Sequence, residues 1–298
     1  MLDSAKRFGL SAAISTPFTD GLAVDHTRLL AHARRIMAEG CDSITLFGTT
    51  GEGASLSSSE RGAALRAFKD AGYDFRRQII VTAVASAAGD AAAQAREAYA
   101  AGARAVMITP PFYFNGVADN ALFDWYAAVF KEIGDAARDV IVYHLPSVTQ
   151  TPLSIALIGR LKTAFPTIIL GVKDSSGDAD HAAKLLAAHR DLVILVGDER
   201  RLGAAMRSGA CGAICGLANI SPALMRRLIH SGEESAEVNA IVDALVKLPV
   251  MAAVKAVIAH QTGDAGWAAM RPPLTALDAA QTREITAAYE SILRAKAA

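Results

Sequence analysis

The sequence predicts an α/β fold, a (β/α)8 TIM barrel carrying a C-terminal helical extension, and three observations carry that prediction. Eight short runs rich in apolar and β-branched residues recur along the chain. Ala-, Leu- and Arg-rich stretches with helical spacing lie between them. The length, 298 residues, suits one barrel with a short appendage.

The runs are LSAAIS (10–15), SITLF (43–47), IIVTAVA (79–85), AVMIT (105–109), VIVYH (140–144), IILGV (168–172), VILVG (193–197) and GAICG (212–216). Strands that are apolar on both faces and alternate with helices form a parallel sheet covered on both sides, and eight such units most simply close into a barrel. The intervening helices are read from stretches such as HTRLLAHARRIMAEG, AAAQAREAYAAG and LGAAMRSG. A weak internal echo supports the repeat: EGCDSITLFG (39–48), AGARAVMITP (101–110) and SGACGAICG (208–216) each lead from a glycine into an apolar run. That glycine suits a left-handed helix C-cap feeding the next strand. From Ile220 onward the pattern is helical only, which gives a barrel over residues 1–231 and an extension over 232–298, packed together as one structural unit.

About half the residues are apolar, and 30 Lys and Arg balance 30 Asp and Glu. A net charge near zero gives no long-range attraction to nucleic acid or to an anionic membrane, so an anionic ligand must be held by local groups. Cys41, Cys211 and Cys215 sit in apolar or small-residue contexts and read as reduced core thiols, without the paired spacing of a zinc site. The N-terminus lacks the apolar stretch of a signal peptide, and no run of about 18 apolar residues suggests a membrane span. The expected location is the cytoplasm.

In barrels of this kind the reactive groups stand at the C-terminal ends of the strands and on the loops that follow. Lys173, directly after IILGV, would bring its ammonium to the barrel mouth, where desolvation lowers a lysine pKa and leaves a nucleophile for a carbonyl. The competing reading is a structural lysine paired with Asp174, although neighbours on a strand point to opposite faces. GTTGEG (48–53) offers backbone N–H groups on a tight turn with two hydroxyls beside them, suited to a carboxylate or phosphate oxygen. It is equally a plain βα loop whose Ser57 or Ser58 caps the following helix. Its glycine spacing is neither a P-loop nor a dinucleotide fingerprint. Tyr143 could face inward and move protons through its phenol, or be a rim residue; His144 should then face the helices.

These residues resemble the dihydrodipicolinate synthase and N-acetylneuraminate lyase superfamily of pyruvate-dependent class I aldolases. The resemblance runs through STPF (15–18), GTTGE (48–52), LSSSER (56–61), ITPPFY (108–113), VYHLP (142–146), GVKDSSGD (171–178) and GDERRLGAAMRSGACGAICGLANISP (197–222). It implies that Lys173 condenses with the keto group of pyruvate and that the iminium serves as electron sink, with no metal or organic cofactor. It implies that Thr49 and Thr50, with Gly48, bind the pyruvate carboxylate and that Tyr143 relays protons while hydrogen-bonded to Thr49. Ile214 would lie beside pyruvate through its carbonyl. A tyrosine from a neighbouring subunit completes the relay in such enzymes; Tyr113 is the nearest match, and a homotetramer, a dimer of dimers, is expected.

Departures from the pattern separate the family's members. Dihydrodipicolinate synthases resemble one another in an arginine five residues beyond the relay tyrosine, which grips the carboxylate of aspartate semialdehyde; here that residue is Val148. The asparagine after the relay tyrosine is replaced by His144. Ser175, Asp198, Glu199 and Arg200 could hold the hydroxyls of a sugar acid or could form surface ion pairs. The expected activity is therefore cleavage or synthesis of a 2-keto-3-deoxy sugar acid or related 4-hydroxy-2-oxo acid, with pyruvate and an aldehyde as partners. The alternatives are a 4-hydroxy-tetrahydrodipicolinate synthase and a non-catalytic keto-acid-binding regulatory protein.

Overall fold

The computed structural model describes residues 8–297. Eight strands, β1 (Gly9–Ala13), β2 (Ser43–Leu46), β3 (Ile79–Ala83), β4 (Ala105–Ile108), β5 (Val140–His144), β6 (Ile169–Asp174), β7 (Val193–Val196) and β8 (Gly212–Cys215), close into a barrel in chain order. Every neighbouring pair is parallel, and β8 returns to β1 through Leu10 and Ala213. Each expected apolar run supplies one strand. The sixth continues past Val172 to include Lys173 and Asp174, because both are buried and keep their ladder partners on β5 and β7.

Alternation along the strands sorts the core into two sets. Ala13, Ile80, Met107, Ile141, Tyr143, Leu195 and Ile214 fill the barrel interior, while Ala12, Ile44, Val106, Val142 and Val172 face the surrounding helices. Burying each large aliphatic side chain contributes roughly 1.5–3 kcal/mol, which makes these two layers the main source of stability. The helix ends follow local chemistry. Ser57 caps the helix Ser58–Asp70 in a reciprocal capping box with Glu60. The three echo glycines, Gly40, Gly102 and Gly209, all have positive φ where a helix turns into the next strand.

After β8 the chain is helical: Pro222–Ser231, Ala236–Leu245, Val250–Thr262 and Ala279–Ala297. Val254, Val257, Ile258, Trp267, Ile285 and Tyr289 join the core that covers the barrel's outer face. Polar ties add register, among them Arg28 to Asp264 at 2.6 Å, Arg271 to Glu60 at 2.7 Å and Arg200 to Asp243 at 3.0 Å. Partly exposed pairs of this kind contribute about 0–1 kcal/mol each, so apolar burial does most of the holding. No helix among the described residues is long and apolar enough to cross a membrane.

Candidate active site

β5 and β6 pair with Tyr143 opposite Lys173 and His144 opposite Asp174. One register therefore sends the phenol and the amine together into the barrel and sends the imidazole and the carboxylate together outward. Lys173 is 4% exposed; its Nζ donates to Tyr143 Oη at 3.1 Å and lies 4.3 Å from the centre of the Tyr143 ring. Thr49 Oγ1 stands 3.5 Å from the same phenol oxygen, the outer limit of a hydrogen bond. Burial pushes the Tyr143 phenol up, but the Lys173 ammonium, with the Thr49 and Ser175 hydroxyls nearby, more than offsets it, so the phenol titrates below the ordinary tyrosine range.

The GTTGEG loop after β2 folds back on itself. The amides of Glu52 and Gly53 donate to the carbonyls of Thr49 and Gly48, whereas those of Thr49 and Thr50 have no carbonyl partner among the described residues. Thr50 packs against the loop after β8: a Cβ on Gly216 would lie 3.2 Å from Thr50 Oγ1. Two hydroxyls and two amides without a carbonyl partner thus stand on the loop that meets the Tyr143–Lys173 pair through Thr49, a donor set of the kind that holds a carboxylate. Ile214 lines the barrel interior from β8.

The loop after β7 divides its charged groups. Asp198 is bound through both oxygens by Arg200, and Arg200 reaches Asp243 with its other nitrogen. Glu199 turns the opposite way and accepts from Leu217 N at 2.8 Å. Burial raises the Glu199 carboxyl above its usual range, against the opposing pull of the Leu217 amide and Lys173. Ser175 Oγ is buried with no hydrogen-bond partner among the described residues, and a Cβ on Gly197 would collide with it. Gly197 thus leaves the Ser175 hydroxyl room beside Lys173, whose Cε is 3.0 Å from the same point. Val148 stands 60% exposed on the short turn after β5 and provides no charge.

Two sequence candidates lie elsewhere. Tyr113 projects from the loop after β4, 85% exposed and with φ of 101°, and is not among the partners of Lys173 or Tyr143 in its own chain. It stacks edge-on against Phe114 beside a surface groove of about 940 Å³ that also takes in Leu56, Val84 and Gln94. His144 faces outward, as expected from alternation, stacking on His181 at 4.1 Å while its Nδ1 accepts from Leu153 N at 3.0 Å. His144, His181 and Asp174 are close enough together to suggest a metal site. The Leu153 bond argues otherwise: an Nδ1 that accepts leaves the proton on Nε2, so a neutral His144 has no free lone pair to give. Sequence reasoning did not find Leu153, His181 or the burial of Glu199, which depend on chain segments remote from the motifs.

The model of the dihydrodipicolinate synthetase family matches residues 6–292, and the chain belongs to that family. It is a lyase of the class I aldolase type. It is 31% identical over 293 residues to an uncharacterised DapA-like lyase of Chloroflexus aurantiacus, covering 96% of this chain and 97% of that one. It is 32% identical to the 4-hydroxy-tetrahydrodipicolinate synthase of Anaeromyxobacter sp. strain K over 74% of this chain and 73% of the relative. A crystal structure of dihydrodipicolinate synthase from Agrobacterium tumefaciens C58 superposes with a TM-score of 0.95 at 46% identity, covering 97% of this chain and all of that one.

Proposed function

We propose that the protein is a pyruvate-dependent Schiff-base aldolase that cleaves or forms a 2-keto-3-deoxy sugar acid or a related 4-hydroxy-2-oxo acid. The observation that carries this reading is the buried Lys173 amine, 3.1 Å from the Tyr143 phenol and on the same side of the barrel as the Thr49–Thr50 loop. The amine adds to the keto carbon, Tyr143 supplies a proton to the departing oxygen, and water leaves as the iminium forms. The phenolate left on Tyr143 takes the proton of the C4 hydroxyl as the C3–C4 bond breaks, and the iminium accepts the released electron pair, leaving an enamine and a free aldehyde. Tyr143 then returns a proton to C3, and water hydrolyses the imine to release pyruvate. The protein's own amine serves as the electron sink, so the proposed cycle requires neither a metal nor an organic cofactor.

The aldehyde side favours hydroxyls over a carboxylate. Arg200 is occupied by Asp198 and Asp243, Val148 stands where the synthase arginine is expected, and the polar groups near the amine are Ser175 and, at Coulombic range, Glu199. A missing bidentate arginine costs a carboxylate-bearing aldehyde roughly 1.5–3 kcal/mol of recognition. The 46% identity to a structure described as a dihydrodipicolinate synthase keeps the synthase as the second reading. A homotetramer, with Tyr113 offered to a neighbouring site, is part of the proposal and is supported by the exposed Tyr113–Phe114 pair. A cytoplasmic setting is also proposed, supported by three buried cysteines kept as thiols.

The test is a panel of aldehydes incubated with pyruvate and followed by mass spectrometry, with aspartate semialdehyde as one member. Condensation with hydroxyaldehydes and almost none with aspartate semialdehyde is expected. Preferential turnover of aspartate semialdehyde would transfer the assignment to the synthase, and pyruvate binding without turnover of any member would favour a regulatory protein.

A further inference from the structure

We propose that Lys255, in the C-terminal extension, is a positioning residue for the keto-acid carboxylate cradle at Thr49 and Thr50, acting through a buried contact with Glu52. The inference rests on the reading of that cradle given above. The 47–53 loop is held in an unfavourable conformation: Phe47 and Glu52, neither a glycine, have φ of 61° and 53°. The loop is also closely packed, since a Cβ on Gly51 would lie 2.6 Å from the Ile14 carbonyl oxygen and one on Gly53 only 1.8 Å from that of Phe47. Such a conformation persists only when the surroundings over-determine it.

The surroundings here are the extension. Glu52 is 3% exposed, and neither carboxylate oxygen accepts a regular hydrogen bond among the described residues. What meets it is the ammonium of Lys255, a fully buried residue of the helix Val250–Thr262, in ion-pair contact with Oε1. A carboxylate so far from water requires a counter-charge, and Lys255 is the cation in contact with it. Lys255 is fixed in turn: its Nζ donates to the Ala269 carbonyl at 2.9 Å and lies 4.4 Å from the Phe18 ring centre. Arg271 lies 4.5 Å from the same ring and reaches the Ser55 carbonyl at 2.7 Å, so the extension grips the loop at two points.

Neither Lys255 nor Glu52 is in contact with Lys173 or Tyr143. Their route to the site is the backbone: Glu52 N donates to Thr49 O at 3.0 Å, and Gly53 N to Gly48 O at 3.1 Å. If the Glu52 side chain swings toward water, its backbone leaves the left-handed region and Thr49 loses the bond that sets its carbonyl. The Thr49 hydroxyl and amide then drift from the carboxylate position.

The test compares Lys255→Met, Glu52→Gln and Asp264→Asn with the parent protein. Asp264→Asn loosens the extension at Arg28, away from the cradle. Two readouts are taken: the pyruvate concentration that half-saturates borohydride capture, and hydrogen exchange of the amides in residues 48–53. In the first two variants the half-saturating concentration should rise at least about tenfold, the scale on which small misplacements of a binding group act, with full capture at saturation. Amide exchange in 48–53 should quicken in those two and remain at the parent rate in Asp264→Asn. Pyruvate saturation within about twofold of the parent, with unchanged exchange, would overturn the proposal. So would an Asp264→Asn variant matching the other two, since that would mean general loosening. If Lys255→Met does not fold, the near-isosteric Glu52→Gln decides alone. A parent protein that captures no pyruvate would defeat the keto-acid reading, while the exchange data would still decide whether the Lys255–Glu52 contact orders residues 48–53.

Discussion

The inner and outer faces of β5 and β6 carry chemically similar pairs with different fates. Inside, Tyr143 and Lys173 share a hydrogen bond in the barrel mouth; outside and one residue along, His144 and Asp174 are covered by the 178–188 region and the 153 turn. All four residues are buried. The difference lies in what each side chain is left free to do. Lys173 is partnered by the Tyr143 phenol, itself a proton-exchanging group, whereas His144 is committed to Leu153 N and Asp174 to Ser176 N. Burial alone does not make a group reactive; burial beside a proton-exchanging partner is what sets the inner pair apart.

The strongest way to break this contrast is on the inner face. Lys173→Ala, and equally Lys173→Arg, should reduce turnover to background, because a guanidinium remains protonated and cannot attack a carbonyl. Steady-state assays with the best aldehyde from the panel check this; appreciable activity in either variant would remove the amine from the mechanism. Next in size, Tyr143→Phe should lower kcat by about 10²–10⁴-fold, the usual contribution of a positioned acid–base group. Rapid-quench measurement of imine formation would locate the loss in the proton-transfer steps.

On the outer face the effects should move from rate to stability. His144→Leu leaves the buried Leu153 N–H without its acceptor, at a cost of about 1–3 kcal/mol by denaturant unfolding, with turnover close to that of the parent. A large kcat defect with normal stability would instead draw His144 into the chemistry. The smallest effect is on pH dependence. Burial pushes His144 and His32 down to about 4, from about 6.5 when unfolded. Between those values the unfolded chain binds protons that the folded chain refuses, so stability should fall as pH drops from 6.5 toward 4 and be complete above 6.5. Thermal melts across that window should lose part of their slope in His144→Leu, and an unchanged slope would mean that His144 is not a contributor.

Much of this architecture was readable in the sequence because parallel strands covered on both faces leave contiguous apolar runs. The sixth strand exceeded its run for the same reason that it matters: Lys173 and Asp174 are polar, so they ended the apolar pattern while continuing the ladder. The inner and outer assignments followed from alternation, and Thr49 and Lys173, named from the motifs, both lie against the Tyr143 phenol. What could not be read were pairings set by tertiary closure. Asp198 and Glu199 are neighbours in sequence, yet Arg200 takes one while Leu217 N takes the other. The Glu52–Lys255 contact joins the first third of the chain to the extension, and no local spacing signals it.

The most direct measurement is borohydride reduction of the protein in the presence of pyruvate, followed by intact-mass analysis and peptide mapping. One reduced pyruvyl group per chain, located on Lys173 and lost in Lys173→Ala, is the expected result. An unmodified protein, or a label on any other lysine, would contradict the assignment of Lys173 as the imine-forming residue.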